Sequence, residues 1–452
     1  MTLRTTYRLI LGLSALGALG LAHCSGEDTV SIVPPADGGS VDTSTLPDTS
    51  GGCTGAMASC GGVCTDTAND PKNCGGCGKV CPASDAGAGQ CVASKCTSCD
   101  LVDDDKDGFN ACVDCDDKDP NVNPGAFDVP GNGVDDNCDG TKDEVKTCDT
   151  ALASDSVDAL DFAKAIDICE VPVAQSFPVV ADAKAHQIAP DWGTVFKPQL
   201  GVSFAALSSG IAADTNGTKP PFNVAETPAP GTDYAKTGTA FPGTPSSYKC
   251  TTRLSAPATV TEPAKINDYT ELKIQLKVPT NAHSFAIDAN FLGSDYPHFL
   301  CDNVDDEAFI LLDSKAYQGS LGRDTRGTPL SVNSNFLALT QLSALAGTGF
   351  DKTSTFGDPT KGGATGWLTV EGPVVPGETI TLRFIIADFT DGIYDSQLLI
   401  DHFRWQTKTL CGPQTTGLVR PSADAGADAA PIEGGTGPVC SDGGIVDSGG
   451  GG

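Results

Sequence analysis

The sequence predicts a mainly β protein: an antiparallel, jelly-roll-like β-sandwich that follows a small disulfide-rich module and a small Asp-rich module, with disordered linkers. Strict apolar–polar alternation over residues 271–278 is typical of a strand with one buried face. The 53 glycines and 30 prolines indicate many turns and few long helices. Nine cysteines within residues 53–99 and a dense run of aspartates after them predict the two small modules.

Residues 1–23 are predicted to be an export signal. Arg4 and Arg8 precede an apolar stretch that is too short to cross a bilayer comfortably. The stretch ends in Leu-Ala-His-Cys, which resembles the lipobox of bacterial lipoproteins, although His23 stands where that family has a small residue. The resemblance implies acylation of Cys24 and a lipoprotein held in the outer membrane at the cell surface; ordinary cleavage and secretion are the alternative.

The overall charge favours cations over anionic partners. The chain has 58 acidic and 28 basic residues and a formal net charge of −30, so we expect no binding to nucleic acid. Residues 24–52 contain mostly Ser, Thr, Pro, Gly and Asp, and we expect a disordered tether there and a disordered tail over residues 413–452.

Residues 53–99, the cysteine-rich module, have too little apolar content for a core. In an exported protein their cysteines are expected to pair as disulfides, which stabilise such short modules. The alternative is a zinc site at Cys74 and Cys77. The stretch CGGVCTDTANDPKNCGGCGKVC resembles the Cys-rich repeat named for plant stigma-specific proteins, which also occurs in secreted myxobacterial proteins.

Residues 100–148, the Asp-rich module, carry the strongest chemical signal. Asp103, Asp105 and Asp107 stand at positions one, three and five of an EF-hand-type loop, with Gly108 at the turn and Asp114 at position twelve. Such spacing surrounds a hard cation with oxygen atoms. The pattern recurs further along, and the predicted metal ligands are Asp103, Asp105, Asp107, Asp114, Asp116, Asp117, Asp119, Asp135, Asn137, Asp139, Asp143 and Glu144.

The stretches DDDKDG, DCDDKDP, NPGA and GNGVDDNCDG resemble the MopE-type metal-binding motif and thrombospondin type 3 calcium repeats. Some MopE-type proteins are associated with copper. Copper prefers imidazole, thioether or thiolate ligands, yet no His lies between Cys24 and Ala185, so we expect calcium and consider copper scavenging a weaker alternative. A solvated acidic linker is the third interpretation.

The predicted sandwich domain spans residues 149–412. A helix capped by Asp155 or Ser156 is expected to bury Phe162 and Ile166, and Cys148 and Cys169 are expected to pair across it. Strands are predicted at 271–278, around Phe285, Ile287 and Phe291, at 309–312 and at 398–405. Residues 367–370 and 380–386 flank a Pro376-Gly377 turn and are predicted to form a hairpin.

Residues 207–214, 291–313 and 367–401 resemble the choice-of-anchor L domain of bacterial surface proteins. The stretches that carry the resemblance include LSSGIAAD, FLGSDYPHFLCDNVDDEAFILLD and FIIADFTDGIYDSQLLID. The resemblance implies an exported, surface-tethered domain without assigned chemistry. A display or adhesion function follows, with a surface glycan or protein as the expected ligand.

The strand ends of this domain concentrate carboxylates. If the strands are neighbours, their acidic loops meet at one rim, where repulsion calls for a cation or protons. We therefore predict a second metal site, and the alternative is a solvated rim. Its candidate residues are Asp295, Asp302, Asp305, Asp306, Asp388, Asp391 and Asp395.

No catalytic motif is evident, and we expect no enzyme. The chain has no GxSxG nucleophile elbow and no HExxH zinc motif. The alternative is a secreted hydrolase or a carbohydrate-binding protein that uses the acidic rim.

Overall fold

The computed structural model describes residues 57–60, 63–81, 89–97, 102–180, 184–212, 239–240, 247–250, 258–261, 265–302, 306–351, 362–389 and 395–417. All of them belong to the structural unit that begins at Ala56. The predicted export signal, the lipidation site at Cys24 and the tether lie outside the described residues, as do Asp305, Asp391 and most of the predicted tail.

The cysteine-rich module consists of two short hairpins and turns. Its strands are β1 (Met57–Cys60), β2 (Val63–Asp66), β3 (Gln90–Val92) and β4 (Lys95–Thr97), with β1 paired to β2 and β3 to β4. Disulfides join Cys60 to Cys77, Cys74 to Cys91 and Cys81 to Cys96. The prediction of disulfides is confirmed, and a zinc site at Cys74 and Cys77 is excluded because both sulfurs are oxidised.

Disulfides continue through the rest of the molecule. Cys115 pairs with Cys138, Cys250 with Cys301, and Cys148 with Cys169, the last as predicted. Every cysteine of the described residues is disulfide-bonded. This pattern is the one expected of a protein that folds in an oxidising compartment.

The helix α1 (Ala159–Ala165) begins later than predicted. Asp158 is its N-cap and accepts a hydrogen bond from Leu160 N at 3.0 Å, so the predicted caps Asp155 and Ser156 are wrong. Ser156 instead donates to Asp161 Oδ2 at 2.7 Å. Phe162 and Ile166 are fully buried, as predicted. Within the described part of the chain, no helix is long and apolar enough to cross a bilayer.

Two antiparallel sheets form the sandwich. Sheet I has the order β14-β13-β18-β11-β5, with β15 beside β13 and β8 beside β11, and sheet II has the order β20-β17-β12-β19-β7-β6, with β16 beside β12. The strands β9 and β10 form a separate hairpin. In chain order the strands are β5 (Ala174–Val179), β6 (His186–Ala189), β7 (Phe204–Ser208), β8 (Thr239–Ala240), β9 (Ser247–Cys250), β10 (Ala258–Thr261), β11 (Lys265–Lys277), β12 (Ser284–Gly293), β13 (Glu307–Asp313), β14 (Gln318–Leu321), β15 (Leu330–Ser331), β16 (Gly363–Ala364), β17 (Leu368–Pro373), β18 (Thr379–Phe389), β19 (Ser396–Gln406) and β20 (Gln414–Gly417), with a 3-10 turn at Leu342–Leu345.

The main core lies between the two sheets. Alternate residues of β11 and β18 face alternate residues of β12 and β19 in one buried cluster. The predicted strand at 271–278 is confirmed, because Leu272, Ile274 and Leu276 are all buried in this cluster. Phe285, Ile287 and Phe291 of β12 face them from sheet II. The fold is therefore the mainly β, antiparallel sandwich that the sequence predicts.

The predicted hairpin over residues 367–386 is wrong. The strand β17 lies in sheet II and β18 lies in sheet I, so the Pro376-Gly377 turn carries the chain from one sheet to the other. Gly377 has φ +71° and donates its N–H to Val278 O at 3.1 Å. The sequence pattern identifies two strands and a turn, but sheet membership depends on partners that are distant in the chain.

Sheet II also extends beyond residue 412, where the sandwich domain was predicted to end. Residues Gln414–Gly417 form β20 and pair with β17. The four residues Gln-Thr-Thr-Gly carry too little apolar content to signal a strand, and their pairing with β17 is what orders them.

The Asp-rich module contacts the sandwich at the turn between β11 and β12. Asn281, which is 1% exposed, accepts a hydrogen bond from Phe127 N at 2.9 Å and donates one to Phe127 O at 2.8 Å. Thr280 donates its backbone N–H to Gly125 O and its hydroxyl to Asn123 Oδ1. These four hydrogen bonds join the module to the sandwich at this turn, in addition to the Cys148–Cys169 disulfide.

We predict that Asn281→Ala loosens this contact. The substitution removes both bonds to Phe127, at a cost of about 1–3 kcal/mol for opening this contact, so the Phe127 amide should exchange its hydrogen at least tenfold faster. Asn121→Ala, at an exposed position of the same module, is the control and should leave that amide unchanged. Equal exchange in both variants, measured by mass spectrometry, would contradict the prediction.

Candidate metal centre

The first loop, residues 103–114, brings carboxylates together. Ligand oxygens of Asp103, Asp105 and Asp107 all lie within 4.8 Å of one another. Backbone amides hold each side chain: Asp103 accepts from Lys106 N and Gly108 N, Asp105 accepts from Asp107 N, and Asp107 accepts from Phe109 N at 2.8 Å. Gly108 has φ +102°, which permits the turn at position six.

Those amides satisfy both oxygens of Asp103 but only one oxygen each of Asp105 and Asp107. The Oδ2 atoms of Asp105, Asp107 and Asp114 are buried and have no hydrogen-bond partner. These residues occupy positions three, five and twelve of the loop. A buried oxygen without a donor is costly, and a cation bound by Asp105 and Asp107, whose ligand oxygens lie within 4.8 Å of one another, would satisfy both of those side chains.

The carboxylates of the first loop also repel one another. Burial raises the pKa of Asp114, and the charges of Asp107, Asp105 and Asp117 raise it further. Burial and the neighbouring carboxylates likewise raise the pKa of Asp105. A divalent cation would reverse both effects, because it favours the ionised form.

The second loop, residues 135–146, repeats the local geometry. Asp135 accepts hydrogen bonds from Asp139 N and Gly140 N, at 3.1 and 2.9 Å, and Asn137 accepts from Asp139 N at 2.9 Å. Gly140 has φ +96° and takes the place of Gly108. Glu144 lies at position ten, and its Oε2 is buried without a hydrogen-bond partner.

A lysine forms ion pairs with two carboxylates of the second loop. Lys146, at position twelve, has its Nζ 2.8 Å from Glu144 Oε1 and 3.3 Å from Asp139 Oδ2. Hydrogen bonding to Glu144 is the largest effect that raises the pKa of Lys146. The two loops therefore differ in charge balance, because the first has no such internal cation among its hydrogen-bond and ion-pair partners.

The remaining predicted ligands of the module are distributed differently. Asp117 accepts a hydrogen bond from Asp104 N at 3.3 Å and so belongs with the first loop. Asp116 is exposed, Asp119 accepts from both nitrogens of Asn121, and Asp143 accepts from Gly133 N. The structure does not gather Asp116 and Asp119 into a separate cage.

Two further aspartates, Asp128 and Asp136, support the module and were not among the predicted ligands. Asp128 is 8% exposed and accepts hydrogen bonds from Asp136 N and Glu144 N. Asp136 is 4% exposed and accepts from Val129 N and Asn132 Nδ2. The Cys115–Cys138 disulfide then joins the two loops. Because their sulfurs are oxidised, neither these cysteines nor the grouped Cys74, Cys81 and Cys91 offer a thiolate to metal.

The sandwich domain contains a second group of aspartates, here called the sandwich cluster. Of the predicted second site, the structure brings Asp295, Asp306, Asp388 and Asp395 together, while Asp302 is exposed. Asp268, which the sequence did not single out, joins them from a bulge in β11. The five members are Asp268, Asp295, Asp306, Asp388 and Asp395, and all are at most 6% exposed.

A third acidic group, the trio Asp149, Asp167 and Asp401, was also missed by sequence reasoning. Backbone amides satisfy part of it: Asp149 accepts from Val202 N and Ser203 N, and Asp401 accepts from Gln199 N. Burial raises the pKa of Asp401 to about 8, and burial followed by repulsion from Asp149 raises the pKa of Asp167 to about 6.

The outer face of sheet I carries a groove of about 770 Å³. Its lining includes Glu271, Lys273, Gln275, Arg323 and Arg383. Arg383 donates two hydrogen bonds to Glu271, at 2.6 and 2.9 Å, and a third to Tyr269 Oη. Pro178, Phe309 and Leu311 also line the groove, so its surface is mixed, and a charged network holds the polar part in place.

The sequence comparisons agree with the geometry of the Asp-rich module. Residues 114–144 match the family Cu-binding MopE, described as a "putative metal-binding motif". The matched stretch includes Asp114 and the second loop, and it begins after Asp103, Asp105 and Asp107. This match confirms the MopE-type resemblance over residues 114–144.

No curated protein sequence matches the chain. A solved structure that it resembles in part is that of TmCBM61 in complex with β-1,4-galactotriose, at 12% identity over 38% of this chain and 93% of that chain. The TM-score of 0.16 is too low to support an argument about fold or function.

We predict that the acidic trio makes stability fall as pH rises. Because the folded state raises the pKa values of Asp167 and Asp401, it binds their protons more tightly than the unfolded state does, and the resulting stability is lost as the pH rises from about 4 to about 8. His402, which lies near Asp167 and favours its ionised form, opposes but does not cancel the effect. The thermal unfolding temperature of Asp401→Asn should fall less steeply over this pH range than the unfolding temperature of the unmodified protein. Parallel pH profiles would contradict the prediction.

Proposed function

We propose that the protein is a non-enzymatic, exported surface lipoprotein whose Asp-rich module binds calcium and whose sandwich domain is displayed for interaction. The observation that supports calcium most directly is the set of three buried carboxylate oxygens without donors, on Asp105, Asp107 and Asp114. Four carboxylates and the Phe109 carbonyl are the ligand types that calcium takes in an EF-hand-type loop.

The donor set favours calcium over copper. Residues 102–150 contain no His and no Met, and their cysteines are disulfide-bonded, so the module offers oxygen atoms only. Copper binds most strongly to imidazole, thiolate and thioether groups, whereas hard cations select carboxylate and carbonyl oxygen. The name of the matched family points to copper, and the ligand chemistry of these residues is our reason for proposing calcium instead.

Calcium would serve to order the connection between the membrane end of the chain and the sandwich. Without it, crowded carboxylates of the first loop repel one another. Bound calcium would hold the carboxylates of the first loop together. The Cys115–Cys138 disulfide connects this loop to the second loop, and the hydrogen bond between Phe127 and Asn281 connects the module to the sandwich. A lipid on Cys24 would moor this assembly in the outer membrane.

The groove on sheet I is our candidate for the display surface. Its charged and amide side chains suit a polar ligand such as a glycan or an extended peptide. Carbohydrate binding is therefore kept as a second candidate function, located in this groove rather than at the acidic rim. Hydrolysis has no comparable observation in its favour.

We predict that Asp107→Asn weakens calcium binding at least tenfold, because it replaces one charged ligand oxygen at position five. Calorimetry on the full chain measures the affinity. Asp104→Asn makes the same charge change at an exposed neighbouring position and should bind calcium normally. The proposal fails if the two variants bind calcium equally, or if copper displaces calcium at about 1 mM calcium.

We predict that Lys146→Gln strengthens metal binding at the second loop. Removing the ammonium group leaves Asp139 and Glu144 without their internal cation, so calcium should occupy this loop several-fold more tightly. Lys142→Gln is the matched control, since Lys142 contacts only the Gly133 carbonyl among its hydrogen-bond partners. An unchanged second binding step in Lys146→Gln, with both variants folded, would show that the lysine does not compete with metal.

A further inference from the structure

The sandwich cluster lies where the ends of strands from both sheets meet. Asp388 is near the end of β18 and Asp268 is in a bulge of β11, so both belong to sheet I. Asp295 follows β12 and Asp395 precedes β19, so both belong to the strands of sheet II. Anything that binds all four would connect the two sheets.

Asp388 is the member of the cluster whose carboxylate oxygens receive no hydrogen bond from the described residues. Its side chain is fully buried, and neither Oδ1 nor Oδ2 has a hydrogen-bond partner. The Ser209 hydroxyl is close enough to favour the ionised form, but not in hydrogen-bonding geometry. A fully buried carboxylate in this condition is among the most costly polar groups a fold can contain.

The charges around Asp388 increase that cost. Burial raises the pKa of Asp388 well above its ordinary value, and the charges of Asp395, Asp268 and Asp295 raise it further. Burial, followed by the charge of Asp268, raises the pKa of Asp395 to about 8. Neither Asp388 nor Asp395 forms an ion pair with a Lys, Arg or His of the described residues.

Two members of the cluster have defined hydrogen bonds that hold the surrounding backbone. Asp295 Oδ2 accepts from Asp306 N at 3.2 Å, and Asp306 Oδ2 accepts from Ser396 Oγ at 2.7 Å. Ser294 also donates its hydroxyl to Asp395 O at 2.7 Å. These bonds connect the start of β13 to the end of β12 and to the start of β19, and they fix the backbone positions that carry the carboxylates.

Gly210 provides the space for the Asp395 carboxylate. A Cβ atom added at Gly210 would lie 2.1 Å from both Cγ and Oδ2 of Asp395. The carboxylate thus rests directly against the backbone at a position that only glycine leaves open. This close fit holds Asp395 beside Asp388 rather than letting it turn to solvent.

We propose that the sandwich cluster is a second divalent-cation site, of the calcium class, separate from the Asp-rich module. Asp388 is the central ligand, and Asp268, Asp295 and Asp395 contribute carboxylates from the two sheets. A proton shared between Asp388 and Asp395 would remove one charge of the cluster, but it would leave the repulsion from Asp268 and Asp295 in place. A cation satisfies both oxygens and offsets the repulsion in one step, and it ties sheet I to sheet II.

The test uses the full chain with calcium binding by the first loop weakened by Asp107→Asn, so that the calcium step of the sandwich cluster is distinguished from that of the module. In that background, calcium should still raise the thermal unfolding temperature, and calorimetry should still detect a binding step. Adding Asp388→Asn should abolish both, while adding Asp313→Asn, an exposed aspartate at the end of β13, should preserve both. Asn has nearly the same shape as Asp and removes an uncompensated buried charge, so the variant is expected to fold.

Gly210→Ala gives an independent readout, because it displaces the Asp395 carboxylate without removing any charge. It should weaken the same calcium step at least tenfold. The proposal is overturned if Asp388→Asn retains the calcium-dependent rise in unfolding temperature, or if the Asp107→Asn protein shows no calcium step. It is also overturned if Asp388→Asn stabilises the calcium-free protein while calcium binding is unchanged, since that result assigns the cluster to protons.

Discussion

The central constraint on this structure is that many carboxylates are buried close to one another, so their charges and their hydrogen-bonding oxygens must be satisfied by other groups. In the first loop, backbone amides satisfy one oxygen of Asp105 and Asp107 and leave the other buried and open. These hydrogen bonds orient the carboxylates toward one another, and a bound cation would offset the repulsion that remains between them. The repeated Asp-x-Asp/Asn-x-Asp-Gly spacing achieves this because the side chains at positions three and five accept the N–H two residues further along. The Asp at position one accepts from the N–H of the glycine at position six, where glycine permits the reversal.

Some buried carboxylates of this chain are paired with an arginine or a lysine, and others are not. We regard the paired ones as structural and the unpaired ones as candidate metal sites. Arg383 pairs with Glu271 on sheet I, Arg326 pairs with Asp324, and Lys146 pairs with Asp139 and Glu144 of the second loop. The first loop and Asp388 have no such partner among the described residues. Where no internal cation is supplied, an external one is the simplest source of the missing charge.

Local patterns were predictable, and long-range partners were not. Alternation over 271–278 identified β11, and the Cys148–Cys169 disulfide was predicted from cysteines that flank one helix. The 367–386 hairpin failed because adjacent strands entered different sheets. Asp268 and Asp401 carry no local signal, since the groups that surround them come from distant strands. Lys146 could have been identified by counting twelve positions from Asp135.

The most direct test of the account is the anomalous diffraction signal from crystals of the full chain grown with calcium at about 1 mM. We expect an ion in the first loop, bound by Asp103, Asp105, Asp107 and Asp114 through oxygen atoms about 2.3–2.6 Å away. A first loop that is empty under these conditions, with Asp105 and Asp107 oxygens facing water, would contradict the central claim that these carboxylates require an external cation.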